Sequence, residues 1–177
     1  MSAHNPYPLY VNQKLAFARY QLASARENLL VEDLQHRLAT HACLDASVQQ
    51  LYQGLLYFVY EIVRQMDVSL DTATYDVKAL IERHRAIPEI SEMANLLNSP
   101  SWLSQFLLAY HDNEFVVRQF NVAAAKQNGD DVTGAASKAA VIPSVQIVED
   151  SPLERIESWA HSLQSLIDRQ RESMAEA

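Results

Sequence analysis

At 177 residues, 49% apolar and 20% charged, the chain is long enough to bury one hydrophobic core, too short for two large domains and too apolar to be a disordered polymer. Three glycines remove most of the tight turns that a β-protein needs, so the chain is expected to be helical. A formal charge of −8 opposes phosphate backbones and anionic lipid, so neither nucleic acid nor a membrane is an expected partner.

Pro6 and Pro8 fix extended backbone, and residues 1–9 are expected to form an arm ahead of the first helix. No basic segment followed by an apolar one opens the chain, so no secretory signal is expected. The lone Cys43 suits a reducing compartment, and the cytosol is the expected location. From Val11 through Leu15, Ala18, Leu22, Ala25 and Leu29 the apolar residues alternate by four and three, which predicts a helix over 10–29 packed along its length.

A longer pattern predicts a helix over 33–66, with a seam through Leu34, Leu38, His41, Asp45, Val48, Tyr52, Leu55, Val59, Ile62 and Met66. Its stretch LYQGLLYFVYEIVRQ, residues 51–65, is apolar around more than half of its circumference. Glu61, Arg64 and Gln65 interrupt it well short of the about 20 apolar residues that span a bilayer. A helix of this kind is the centre of a bundle or lines a dimer contact as well, and Gly54 is expected to mark close approach by another helix. Glu61 is expected to be a solvated carboxylate near Arg64, the other reading being an acid of raised pKa.

Ser69 and Asp71 offer capping oxygens for a shorter helix over 75–87 that Pro88 stops, and a two-turn helix follows over 89–97. Ser99 and Pro100 are then expected to open a further long helix with its seam at Trp102, Phe106, Ala109 or Tyr110, Val117 and Phe120. Over 125–151 the composition turns small and polar around QNGDDVTG, which predicts a flexible linker. Its second half, AAVIPSVQIVED at 139–150, is apolar enough to lie extended over the bundle, with Pro143 opposing a central strand. Ser151 and Pro152 open the last helix, 152–175, whose Leu153, Ile156, Ala160, Leu163, Ile167, Gln170 and Met174 again step by three and four. The expected fold is one all-α domain, a largely antiparallel helical bundle of four long helices plus one or two short ones, with a long linker before the last.

Arg37, His41 and Asp45 stack at four-residue spacing on one helix face. They read either as a polar cluster that fixes register or as a proton relay. No Glu-x-x-His occurs; His111 and Glu114 have the reverse order, and Glu157 and His161 stand one residue too far apart. No metal or cofactor is therefore expected, nor is there a phosphate-cradling glycine loop or a nucleophile elbow. RHR at 83–85 and RQR at 169–171 fall near helix C-termini, where cations complement the helix dipole.

RIESWAH places Arg155 and His161 in the Arg-x(4–6)-His spacing of the HEPN family and so resembles those all-helical, metal-independent ribonucleases. That family usually follows the arginine with a polar residue, where this chain has Ile156. YVNQKLAFA at 10–18, LYQGLLYFVYEI at 51–62, SWLSQFLLAY at 101–110 and LQSLIDRQRESM at 163–174 look like a small uncharacterised family of bacterial cytosolic proteins. That resemblance implies a bacterial source and carries over no catalytic residue. The expected function is non-enzymatic, through contact with another protein or with itself as a homodimer. The alternatives are a HEPN-like nuclease built on Arg155 and His161, or a ligand-binding bundle with a closed pocket beside Tyr52, Tyr57 and Trp102.

Overall fold

The computed structural model describes residues 5–66, 68, 75–112 and 151–176. Among these the chain forms six helices and no strand: α1 Tyr7–Asn28, α2 Leu34–Gln65, α3 Val77–Arg83, α4 Pro88–Leu97, α5 Trp102–His111 and α6 Pro152–Glu176.

The helix ends follow local chemistry, and several differ from expectation. Pro6 stands at the N-cap of α1 and Pro8 in its first turn. N–H groups there have no intrahelical partner, so proline costs nothing and the expected arm loses its last three residues to the helix. Asp33 caps α2 by accepting from the His36 amide at 2.8 Å. Pro88 both ends and begins: it forces Ile87 into extended backbone, which closes the turn after α3 and starts α4. The cap of α5 is Ser101 and not Ser99, because Ser104 lies three residues on and the two serines bond each other's amides at 3.3 and 3.1 Å. Ser151 and Glu154 make the same reciprocal bonds at the start of α6. The expected caps Ser69 and Asp71, the seam residues Val117 and Phe120, and the 125–150 stretch lie outside the described residues. Within them three helices are long, not four, and three are short.

α2, 32 residues and about 48 Å long, lies at the centre and touches every other helix. α1 runs against it in the opposite sense: Tyr7 meets Tyr57 and Tyr60, while Leu15 meets Gly54. α6 also opposes α1, so α2 and α6 run parallel: of the three pairs of long helices, two are antiparallel and one is parallel. The α1–α6 edge is a ladder in which Asn12, Arg19 and Arg26 bind Arg171, Gln164 and Glu157 at 2.9, 2.6 and 2.7 Å. Seven residues separate each rung on both helices, as in coiled-coil packing.

The buried stripe of α1 is Val11, Leu15, Ala18, Leu22 and Ala25, as its spacing predicts. The start of α2 is different. Its buried face runs through Thr40, Leu44, Ser47 and Val48, while Leu34, Leu38 and Asp45 of the expected seam are exposed. Small side chains suit the helix contact there, and the Thr40 and Ser47 hydroxyls donate to carbonyls four residues back at 2.9 and 2.8 Å, which satisfies them inside an apolar contact.

Gly54 does mark a close approach. A Cβ at that position would stand 3.6 Å from the Leu15 and Lys14 side chains, an ordinary van der Waals separation. Gly54→Ala is therefore expected to raise stability by about 0.5–1 kcal/mol, read as a higher urea midpoint at unchanged slope, because the methyl fits and the unfolded chain loses freedom.

His84, at the C-cap of α3, is buried, and its Nε2 has no hydrogen-bond partner. Burial, aided by the neighbouring Arg83 charge, holds its pKa below the ordinary value. The unfolded chain then binds the proton first as pH falls through about 6.5, so the contribution of His84 is complete above that pH and shrinks below it. Urea midpoints should fall between pH 7 and 5.5, and His84→Gln should flatten part of that slope.

Candidate interaction surface

Glu61, the one carboxylate in the apolar stretch of α2, is buried instead of solvated, and Arg64 is exposed and does not pair with it. Its partner is Arg171 of α6, whose Nε and Nη2 donate to the two carboxylate oxygens at 2.7 Å each. Arg171 also donates through Nη1 to Asn12 of α1 and sits 6.0 Å over the Phe58 ring. One guanidinium thus ties α1, α2 and α6 together. Beside this clamp Tyr7, Tyr10, Tyr57 and Tyr60 cluster with ring centroids 5.4–6.3 Å apart.

The residues singled out from the sequence do not gather at one place. Arg37 and Asp45 are exposed near the start of α2, and His41 between them is half-buried. Burial pushes the His41 pKa down and the Asp45 pKa up, each opposed by the other's charge. His36, one turn away, pairs with Asp33 at 2.7 Å.

Arg155 lines a shallow cavity of ≈ 300 Å³ with Gln105, Leu108, Asp112 and Trp159. His161 lines another, of ≈ 440 Å³, between α1 and α6, alongside Arg19, Arg26, Glu157 and Gln164. Six residues along a helix turn the side chain by about 240° in the winding sense, so the two point into different grooves of α6.

The three aromatic residues expected beside a closed pocket are also apart. Tyr52 stacks on Tyr110 at 3.5 Å, and its hydroxyl donates to the Tyr75 carbonyl and accepts from the Val77 amide at the start of α3. Tyr57 belongs to the cluster at the other end. Trp102 is half-buried against the core. Among the described residues no group of three or more His, Cys, Asp or Glu side chains is placed to hold a metal ion.

What the sequence reading passed over is the outer face of α1. With its buried stripe at the inward positions of a seven-residue repeat, the outward positions of the helix are Leu9, Tyr10, Gln13, Ala16, Phe17, Tyr20, Ala23, Ser24 and Glu27, and Leu30 and Val31 follow in the turn after it. Such positions ordinarily carry Lys, Arg and Glu. Here they hold a single charge, Glu27, while the charged residues of the helix stand at its flanks. Leu9 and Tyr20 are 70% exposed and Leu30 82% exposed. Leu34 and Leu38 at the start of α2 are exposed as well, at 73% and 61%, but on the side of that helix away from α1. The signal was present in the sequence as a second four-and-three alternation on α1, offset from the first.

The structure thus defines a helical protein whose buried Glu61–Arg171 pair ties three helices together and whose most distinctive feature is an exposed apolar face along α1. Among the described residues no helix is long and apolar enough to cross a membrane. The chain belongs to a family of unknown function (DUF6586), whose model matches residues 10–177. No curated protein and no solved structure matches it.

Proposed function

We propose that this is a non-enzymatic, cytoplasmic protein of bacteria that works by binding protein through the outward face of α1 and the α1–α2 turn. The observation that carries the reading is that face, three turns and more of helix with one charge and exposed Leu, Tyr and Phe side chains. Isolated exposed apolar residues are ordinary on a protein surface, but a contiguous patch of this size marks an interaction site.

The internal groups support the same reading. Glu61 and Arg171, a buried pair, hold three helices in place. A nuclease built on Arg155 and His161 would have to be assembled from two chains, since within one chain they face separate grooves. The free thiol of Cys43 suits a reducing compartment. In this picture the face of α1 is the outer wall of the bundle.

The test is a pair of substitutions on that wall, Phe17→Ser with Tyr20→Ser. Both side chains are exposed, so circular dichroism and the urea midpoint should stay as in the parent. Affinity purification from native cells should recover a stoichiometric protein, the chain itself or another, with the parent and lose it with the double variant. Equal recovery by both would remove the reading.

A further inference from the structure

Building on that interaction face, we propose that its partner is a second copy of this chain, docked α1 against α1 in antiparallel fashion about a two-fold axis at Tyr20. The outward positions are largely palindromic in polarity. With Tyr20 opposite Tyr20 of the second copy, Phe17 falls opposite Ala23, Ala16 opposite Ser24 and Gln13 opposite Glu27, while Tyr10 and Leu9 meet Leu30 and Val31 of the turn that follows the helix. Apolar ends then meet each other, an amide meets the one carboxylate as a hydrogen-bond donor, the small Ala16 and Ser24 let the backbones approach, and Ala23 leaves room for Phe17. A two-fold interface demands this self-complementarity, because the same patch must serve both sides.

The extent is sufficient. Leu9, Tyr10, Phe17, Tyr20, Leu30 and Val31 are 41–82% exposed. At about 150–250 Å² for each full side chain they present on the order of 700 Å² per copy, and the alanines and Gln13 bring this to the roughly 800 Å² a stable interface needs from each partner. Charge permits it too. The excess negative charge of the chain lies off this stripe, and repulsion between exposed charges is screened beyond about 8 Å at physiological ionic strength. A seven-residue repeat on both the buried and the outward face of α1 means that one helix can supply two coiled-coil seams, one to its own bundle and one to the copy.

Light scattering and sedimentation between about 1 and 200 µM should show a reversible dimer. Ala16→Glu, at a position exposed in the single chain, should keep the helix content and urea midpoint of the subunit and raise the dimer dissociation constant on the order of 100-fold, by placing a charge where Ala16 meets Ser24 of the second copy.

Disulfide trapping sets the register. In a Cys43→Ser background Tyr20→Cys should cross-link to itself on oxidation. Ala16→Cys should not, since its copies would stand about 12 Å apart along the axis, yet it should link to Ser24→Cys when the two are mixed. A monomer at every concentration, a dimer indifferent to Ala16→Glu, or self-linking of Ala16→Cys would each overturn the proposal. If the chain is monomeric and the Phe17/Tyr20 variant still loses a different protein, the self-pairing fails and the interaction reading stands. If the monomer's face is covered by residues 113–150 of its own chain, measured as loss of subunit stability in the same variant, both fail.

Discussion

Arg171→Ala should lower the unfolding free energy by about 3 kcal/mol. Glu61 has only 4% of its side chain exposed, and the guanidinium fork at 2.7 Å supplies both of its partners. Truncating one member of a buried pair leaves an uncompensated charge in the interior, which costs about 3–5 kcal/mol. The low end applies because Arg171 itself is 25% exposed, so water can enter where it stood. Losing its bond to Asn12 and its cover over Phe58 adds to the effect.

The double variant Glu61→Leu with Arg171→Leu should recover most of the loss, because the desolvation of both ions goes with them and leucine fills the space. Denaturant midpoints at equal slope give both numbers. A loss under 1 kcal/mol for Arg171→Ala would mean that the pair is screened as a surface bridge is, and would leave the three-helix clamp without energetic weight.

How much of this was readable beforehand differs from element to element. The limits of α2 and α6 and the buried stripe of α1 followed from periodicity, since apolar residues at seven-residue spacing have few other uses. Glu61 could not be placed the same way. On its own helix the nearest opposite charge is Arg64, three residues on, whereas the true partner is 110 positions away and is brought there by the antiparallel seating of α6 on α1.

The first turns of α2 misled for a related reason. Leu34 and Leu38 form a regular stripe with His41 and Asp45, and a stripe reads as buried unless the partner helix is known to lie on the other side. α1 lies on the side of Thr40, Leu44 and Ser47, where the two small polar side chains leave Leu44 as a lone apolar signal. The same ambiguity hid the outward face of α1. Two apolar alternations on one helix look like a broad core stripe until packing assigns one of them to water.

Phe106→Ala should be as costly as the loss of Arg171, about 3–5 kcal/mol, but for reasons of packing alone. Phe106 is 1% exposed on α5, and its ring lies 5.7 Å from that of Trp159 on α6 in a tilted pair. Removing the ring forfeits its burial and the aromatic contact and opens a cavity that the short, ten-residue α5 must collapse to fill.

The neighbouring Leu108 provides the contrast. It stands two residues further along the same helix, rotated by about 200° to the outer side and 73% exposed, so Leu108→Ala should shift the midpoint by no more than about 0.5 kcal/mol. Phe106→Leu should fall between, because most of the apolar volume remains. If Phe106→Ala and Leu108→Ala were equally mild, α5 would not be seated on α6 as described, and Arg155, which shares its cavity with Gln105, Leu108 and Asp112 of α5, would be free to face elsewhere.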